Sequence, residues 1–236
     1  MEPIATKPST ILLVGASRGL GLAMAAEFVT KGWHVIGTVR ETGGTELHEL
    51  AHAHPAQVTI APLDITAPDQ IAALRNRLLP GSLDMLFVNA GTANRQQGET
   101  IADVSDDEFV HVMLTNVLGV MRAVEGLADA VRADGLIGVM SSGQGSVANN
   151  TRGGHEVYRG SKAALNQYMR SYAARHADSA RPMVLMAPGW IRTELGGPDA
   201  TFSIEETIPQ LVDTLLGQQG KPGLRYLDRF GATVAW

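Results

Sequence analysis

Short runs of β-branched and aliphatic residues alternate along the whole chain with longer segments whose apolar residues recur at helical spacing. Thr10–Val14 is an unbroken apolar run stopped by Gly15, the pattern of a strand buried on both faces. Residues 20–30 follow, with Leu22, Ala25, Ala26 and Val29 on one helical face and Gly32 as the stop signal. The same reading places strands at His34–Val39, 58–63, 85–88, 136–140 and 183–187. Helices are expected over 69–79, 105–132, 156–176 and 204–217, the last tolerating Pro209 near its first turns. Residues 225–227 read as a final strand and 233–236 as a packed tail. This βαβα order predicts a parallel sheet, and right-handed crossovers restrict it to a doubly wound α/β sheet of about seven strands with helices on both faces. With no linker, low-complexity tract or repeat, residues 1–236 read as one domain, with a small substrate-covering segment near 194–217.

Composition removes several functions. The chain has no Cys, which excludes disulfide scaffolds, thiol nucleophiles and Cys-based zinc or iron–sulfur sites. Nineteen basic residues against 24 acidic ones give a net charge of -5, the wrong sign for an electrostatic nucleic-acid binder. Met1 to Pro8 contain no apolar leader core, and no run approaches the ~20 apolar residues of a membrane span, so a cytoplasmic protein without nucleic-acid or membrane partners is expected. His48, His52 and His54 lack acidic partners at ligand spacing and read as a solvated helix end, so no metal is expected.

The 26 glycines are well above the usual ~7%, and three fall in one loop, Gly15-Ala16-Ser17-Arg18-Gly19-Leu20-Gly21, between the first strand and the first helix. Glycines there allow a tight turn and close approach of a pyrophosphate to bare backbone, with the helix N-terminus aimed at the phosphates. No Lys-Ser/Thr follows, which disfavours a triphosphatase loop. At the end of the second strand, 19 residues after Gly21, stands Arg40. An acidic residue there suits a free ribose 2′-hydroxyl and an Arg suits a 2′-phosphate, so NADP is favoured over NAD, with Arg18 as a second cation. Glu41 is the counterweight, since it could face the ribose or neutralise Arg40.

Tyr158 and Lys162 are four residues apart at the start of a predicted helix, so a phenol and an ammonium can share one face. An adjacent cation stabilises a phenolate, and the expectation is that Lys162 lowers the Tyr158 pKa toward the range of a working general acid.

Tyr-x-x-x-Lys downstream of Gly-x-x-x-Gly-x-Gly resembles the short-chain dehydrogenase/reductase family over essentially the whole chain, nearest to the C-factor-like and sniffer-like carbonyl reductases. The resemblance implies a Rossmann-type fold and a reaction that interconverts a carbonyl and an alcohol. It assigns Asn89, Ala90 and Gly91 to the family's Asn-Ala-Gly segment and Asp64 with Ile65 to its adenine contact. Pro188, Gly189, Ile191 and Thr193 match its segment beside the nicotinamide. With Gly15, Ser17, Arg18, Gly19, Leu20, Gly21, Arg40, Tyr158 and Lys162 these form the expected dinucleotide site. By the same resemblance Tyr158 is the general acid, Lys162 holds the nicotinamide ribose, Ser142 (or Ser141) bonds the substrate oxygen, and Asn116 holds a water of a proton relay. A small carbonyl or alcohol is the implied substrate and a homodimer or homotetramer the implied assembly. A catalytically silent dinucleotide-binding regulator is the rival reading, against which stands the presence of every catalytic residue type. His155 and Trp190 could line the pocket, with a surface histidine and packing against the sheet edge as the alternatives.

Overall fold

The computed structural model describes residues 8–40 and 43–236; the leader reading of Met1–Lys7 and the position of Glu41 lie outside them. Seven parallel strands form one sheet in the order β3-β2-β1-β4-β5-β6-β7. They are β1 Thr10–Val14, β2 His34–Val39, β3 Val58–Pro62, β4 Leu83–Val88, β5 Val131–Met140, β6 Pro182–Ala187 and β7 Gly223–Asp228. The helices are α1 Gly19–Thr30, α2 Glu46–Ala53, α3 Pro68–Arg77, α4 Asp106–Met113, α5 Val120–Leu127, α6 Glu156–Arg175 and α7 Ile204–Leu216, with a π-turn at Leu114–Gly119 joining α4 to α5.

Strand alternation sorts the core into two layers. Leu12 and Val14 face a cluster completed by Ile71 and Leu74 of α3, Val120 and Val124 of α5, and Leu165 and Met169 of α6. Ile11 and Leu13 face the opposite cluster, with Met24 and Phe28 of α1, Leu47 of α2, and Leu211 and Leu215 of α7. Every residue of β1 is buried, as its unbroken apolar run requires.

Three departures from the sequence reading have local causes. The 105–132 helix is interrupted by the π-turn, and its last residues belong to β5. That strand starts five residues early because its register with β4 jumps from Leu83–Val131 to Met85–Leu136. The intervening Arg132 is held by Asp84 (2.9 Å) and Asp134 (3.1 Å). Helix α2, read only as a helix end, is capped by Thr45 and His48, whose ring Nδ1 accepts from the Thr45 backbone N–H at 3.1 Å. Residues 106–130 together are long and apolar enough to cross a membrane, contrary to the expected absence of such a run, yet half of that stretch is buried in the molecule. Val112, Val120, Val124 and Leu127 are among the buried residues that make it a core element.

Most of the segment near 194–217, expected to cover the substrate, is helix α7. Helix α7 packs on α1 through Ile208, Leu211, Val212 and Leu215 and is part of the core. Residues 194–203 precede it. Their fold is fixed locally: Phe202 N donates to Trp190 O (3.0 Å), Arg192 N to Phe202 O (2.9 Å) and Trp190 Nε1 to Gly196 O (2.8 Å).

Candidate active site

The strand order reverses between β1 and β4, which opens a crevice at their carboxyl ends. Gly15 turns the chain out of β1 at φ +84°, where a β-carbon would lie 2.8 Å from the Ala90 backbone, so loop and β4 exit touch directly. Asn89 Nδ2 donates to Gly15 O (2.8 Å), and Thr38 accepts Gly15 N on its hydroxyl (2.9 Å) and Ala16 N on its carbonyl (2.9 Å). The loop is therefore rigid, and Asn89 acts as its clamp.

Helix α1 starts at Gly19 with Arg18 in the N-cap position and no side chain capping its first N–H groups. Gly19 sits at φ +56°, and a β-carbon there would meet only the Thr193 methyl, 4.0 Å away. Ser17, Leu20 and Gly21 flank this bare, uncapped backbone, a donor set that fits the pyrophosphate of a dinucleotide.

Around it the remaining cofactor candidates fall on the same rim. Asp64 is half-buried, with Oδ1 accepting from the Thr66 N–H (2.8 Å) and hydroxyl (2.7 Å); Ile65 is buried beneath it. Ile191 is buried and bridged to Phe202, and Thr193 Oγ1 accepts from Gly196 N at 3.0 Å. Pro188 and Gly189 are pinned by Arg229, whose guanidinium donates to Pro188 O (3.2 Å) and lies 3.8 Å from the Phe202 ring centroid. Arg40 is exposed at the end of β2 and forms no ion pair among the described residues. Arg18 differs: it is paired with Glu194 of the 194–203 segment at 2.8 Å, both side chains largely in solvent.

The catalytic candidates converge at the end of β5 and the first turns of α6. Tyr158 is half-buried, and its phenol is hydrogen-bonded by the Ser142 side chain. Ser142 Oγ accepts from Gln144 N at 3.1 Å, which leaves its O–H free to donate. Ser141 is turned inward, with Oγ donating to Asn166 Oδ1 at 2.6 Å, so Ser142 is the serine beside the phenol. Lys162 is buried, donates to Met140 O at 3.0 Å, and holds Nζ 5.7 Å from the Tyr158 ring centroid. A β-carbon on Gly91 would lie 3.3 Å from Lys162 Nζ and 3.4 Å from Asn116 Oδ1, so the two polar groups meet over that glycine.

Asn116 lies in the π-turn, fully buried, and spends both amide hydrogens, on Thr92 O (2.8 Å) and Ser161 Oγ (3.0 Å). Its Oδ1 accepts from Thr92 N (2.8 Å), which leaves one lone pair on the Lys162 side. π-turns of this kind concentrate at functional sites.

Burial outweighs the expected acidification of Tyr158 by Lys162. Desolvation pushes the phenol up to about 12, with the Ser142 hydrogen bond opposing it, while burial lowers Lys162 to about 8. The ammonium sits over the ring and donates to Met140 O, and its presence does not offset the burial of the phenol.

Four residues of the site escaped the sequence reading. Ser161 passes the Asn116 contact on to Tyr158 by donating to its carbonyl at 2.8 Å; its place between Tyr158 and Lys162 was the available signal. Asn166, Arg229 and Glu194 act through contacts distant in sequence, which no spacing reveals. His155 caps the start of α6 at φ +48°, the one left-handed non-glycine among the described residues, with Nδ1 buried and without a hydrogen-bond partner. Trp190 is 52% exposed, so it is not packed against the sheet edge.

Comparison with known proteins agrees with this geometry. Residues 9–201 match the model of the short chain dehydrogenase family, and the chain belongs to that family of oxidoreductases. C-signal of Myxococcus xanthus is 31% identical over 166 residues, 70% of this chain and 99% of that protein. A Burkholderia multivorans chain solved with bound NADP is 61% identical, covers 98% of this chain and 100% of its own, and superposes with a TM-score of 0.96. A Pseudomonas aeruginosa carbonyl reductase in complex with NADP is 30% identical over 98% of this chain and 100% of its own, with a TM-score of 0.89.

Proposed function

We propose that this chain is an NADP(H)-dependent carbonyl reductase, able to run in reverse as an alcohol dehydrogenase, and that it works in the cytoplasm as a homodimer or homotetramer. The observation that carries the reading is the Tyr158 phenol, hydrogen-bonded by Ser142 and flanked by the Lys162 ammonium, at the mouth of a dinucleotide-type crevice. When bound, the nicotinamide supplies or accepts the hydride.

The chain's own groups supply the rest. A phenol with a pKa near 12 is protonated at neutral pH, so it stands ready to donate to a carbonyl oxygen that becomes an alkoxide. The Ser142 O–H, beside the phenol and not spent on Gln144, is available to donate to the same oxygen and stabilise the charge developing there. Lys162, still mostly cationic at pH 7, holds the ribose hydroxyls, and the open Asn116 lone pair holds a water through which the proton is replaced. In the reverse direction Tyr158 must first lose its proton, so alcohol oxidation rises with pH.

Gly15, Ser17, Gly19, Leu20 and Gly21 take the pyrophosphate, Asp64 and Ile65 the adenine, and Asn89, Ala90, Gly91, Pro188, Gly189, Ile191 and Thr193 the nicotinamide side. Arg40 takes the 2′-phosphate, joined by Arg18 once it leaves Glu194. The NADP bound by the B. multivorans and P. aeruginosa relatives supports this choice. Phe109, Val110, Leu118 and Tyr168 expose apolar surface on α4, the π-turn and α6, which supports pairing of these helices between subunits. Mixing purified protein with NADPH and a panel of aldehydes and ketones, and following loss of the reduced nicotinamide absorbance, tests the reading. Turnover that Tyr158→Phe abolishes is expected; no turnover on any carbonyl refutes it and favours the regulator.

A further inference from the structure

The structure assigns Tyr226 of β7 the part of a positioning residue for Ser142, a role that rests on the carbonyl-reduction reading above. The last residue of β5 and the two that follow are held one after another by different side chains. Lys162 binds Met140 O (3.0 Å), Asn166 accepts the Ser141 hydroxyl (2.6 Å), and the Tyr226 hydroxyl donates to Ser142 O. Ser142 O also accepts from Gly145 N at 2.9 Å, and Asn166 Nδ2 donates to Gly145 O at 3.2 Å, so the turn that follows is fastened to the same group of residues.

The direction of a serine hydroxyl depends on its backbone, because one rotatable bond separates Oγ from the chain. Here the Ser142 Oγ accepts from Gln144 N within the turn that Tyr226 fastens, and this leaves its proton for Tyr158 or the substrate oxygen. Tyr226 is itself immobile. It is 1% exposed, its carbonyl accepts from Val234 N (2.9 Å), and its ring lies 5.4 Å from that of Trp236. Trp236 in turn is covered by the Arg170 guanidinium at 4.5 Å and accepts Ala148 N on its carbonyl at 2.9 Å. Trp236 thus closes a loop of contacts from β7 to the segment just beyond Ser142. A buried donor that reaches 84 residues along the chain to the carbonyl of the serine beside the phenol does more than fill space.

Tyr226→Phe removes one hydroxyl and keeps the ring, so the fold is retained. The expected result is a kcat about tenfold lower with KM for the carbonyl and the affinity for NADPH within about twofold. In a Ser142→Ala background, itself down about a hundredfold or more, the same change should cost nothing further. An equal loss in both backgrounds, or none in either, overturns the role. Amide hydrogen exchange supplies a readout free of turnover: Gln144 and Gly145 should exchange about tenfold faster in Tyr226→Phe while β6 is unchanged. Unchanged exchange at those two amides contradicts the brace even if no carbonyl is turned over, whereas faster exchange without turnover supports it and refutes the reductase reading instead.

Discussion

The two halves of the crevice are built differently. At the end of β5 the polar groups are buried or half-buried and mostly claimed: Asn116 by Thr92 and Ser161, Lys162 by Met140 O, Ser141 by Asn166, Ser142 by Gln144 and Tyr226. At the phosphate side Arg18 and Arg40 stand in solvent, one held by an exposed carboxylate and the other by no charged group among the described residues. Chemistry needs groups fixed within a fraction of an ångström before substrate arrives, so their positions are set by packing. Recognition of a multiply charged phosphate tolerates looser side chains, because Coulomb attraction and bidentate geometry align them on arrival.

That contrast predicts effects of different size and kind. Lys162→Met should lower kcat about a thousandfold, the scale of a lost electrostatic contact in a desolvated site, measured by steady-state turnover with saturating NADPH. Arg40→Ala should instead leave kcat nearly unchanged and weaken NADPH by about 10- to 100-fold, the scale of a lost charge-assisted bidentate contact, with NADH affinity unaltered. Equal losses for both dinucleotides would refute its phosphate role.

The same Lys162 carries a smaller signature in stability. Its pKa is lowered on folding from 10.5 to about 8, so between those values the unfolded chain binds more protons, and stability contributed by this group rises with pH. A gain of about 2–3 kcal/mol between pH 8 and 10.5, present in wild type and absent in Lys162→Met, should appear in denaturant unfolding. Smallest is Glu194→Gln: an exposed pair is worth about 0–1 kcal/mol, so freeing Arg18 should tighten NADPH a fewfold and NADH not at all.

Much of this was legible in the sequence where a spacing maps directly onto geometry. The i, i+4 pair Tyr158 and Lys162, the run buried on both faces at Thr10–Val14, and the glycine loop between β1 and α1 each follow from helix or strand periodicity. Helix α2 was not, because Leu47 is its one fully buried apolar residue and the periodic signal fades. The π-turn was hidden for another reason: Asn116 is set by Thr92 and Ser161, partners that only the assembled sheet brings near. Burial likewise reversed the expected pKa of Tyr158, since desolvation depends on neighbours that spacing does not count.

The division of labour between the two halves is tested most directly by titrating Tyr158→Phe with NADPH and measuring its turnover in the same preparation. An NADPH affinity within about twofold of wild type, beside a turnover at least about a hundredfold lower, is the predicted result. Binding lost in step with turnover, or turnover retained, would contradict it.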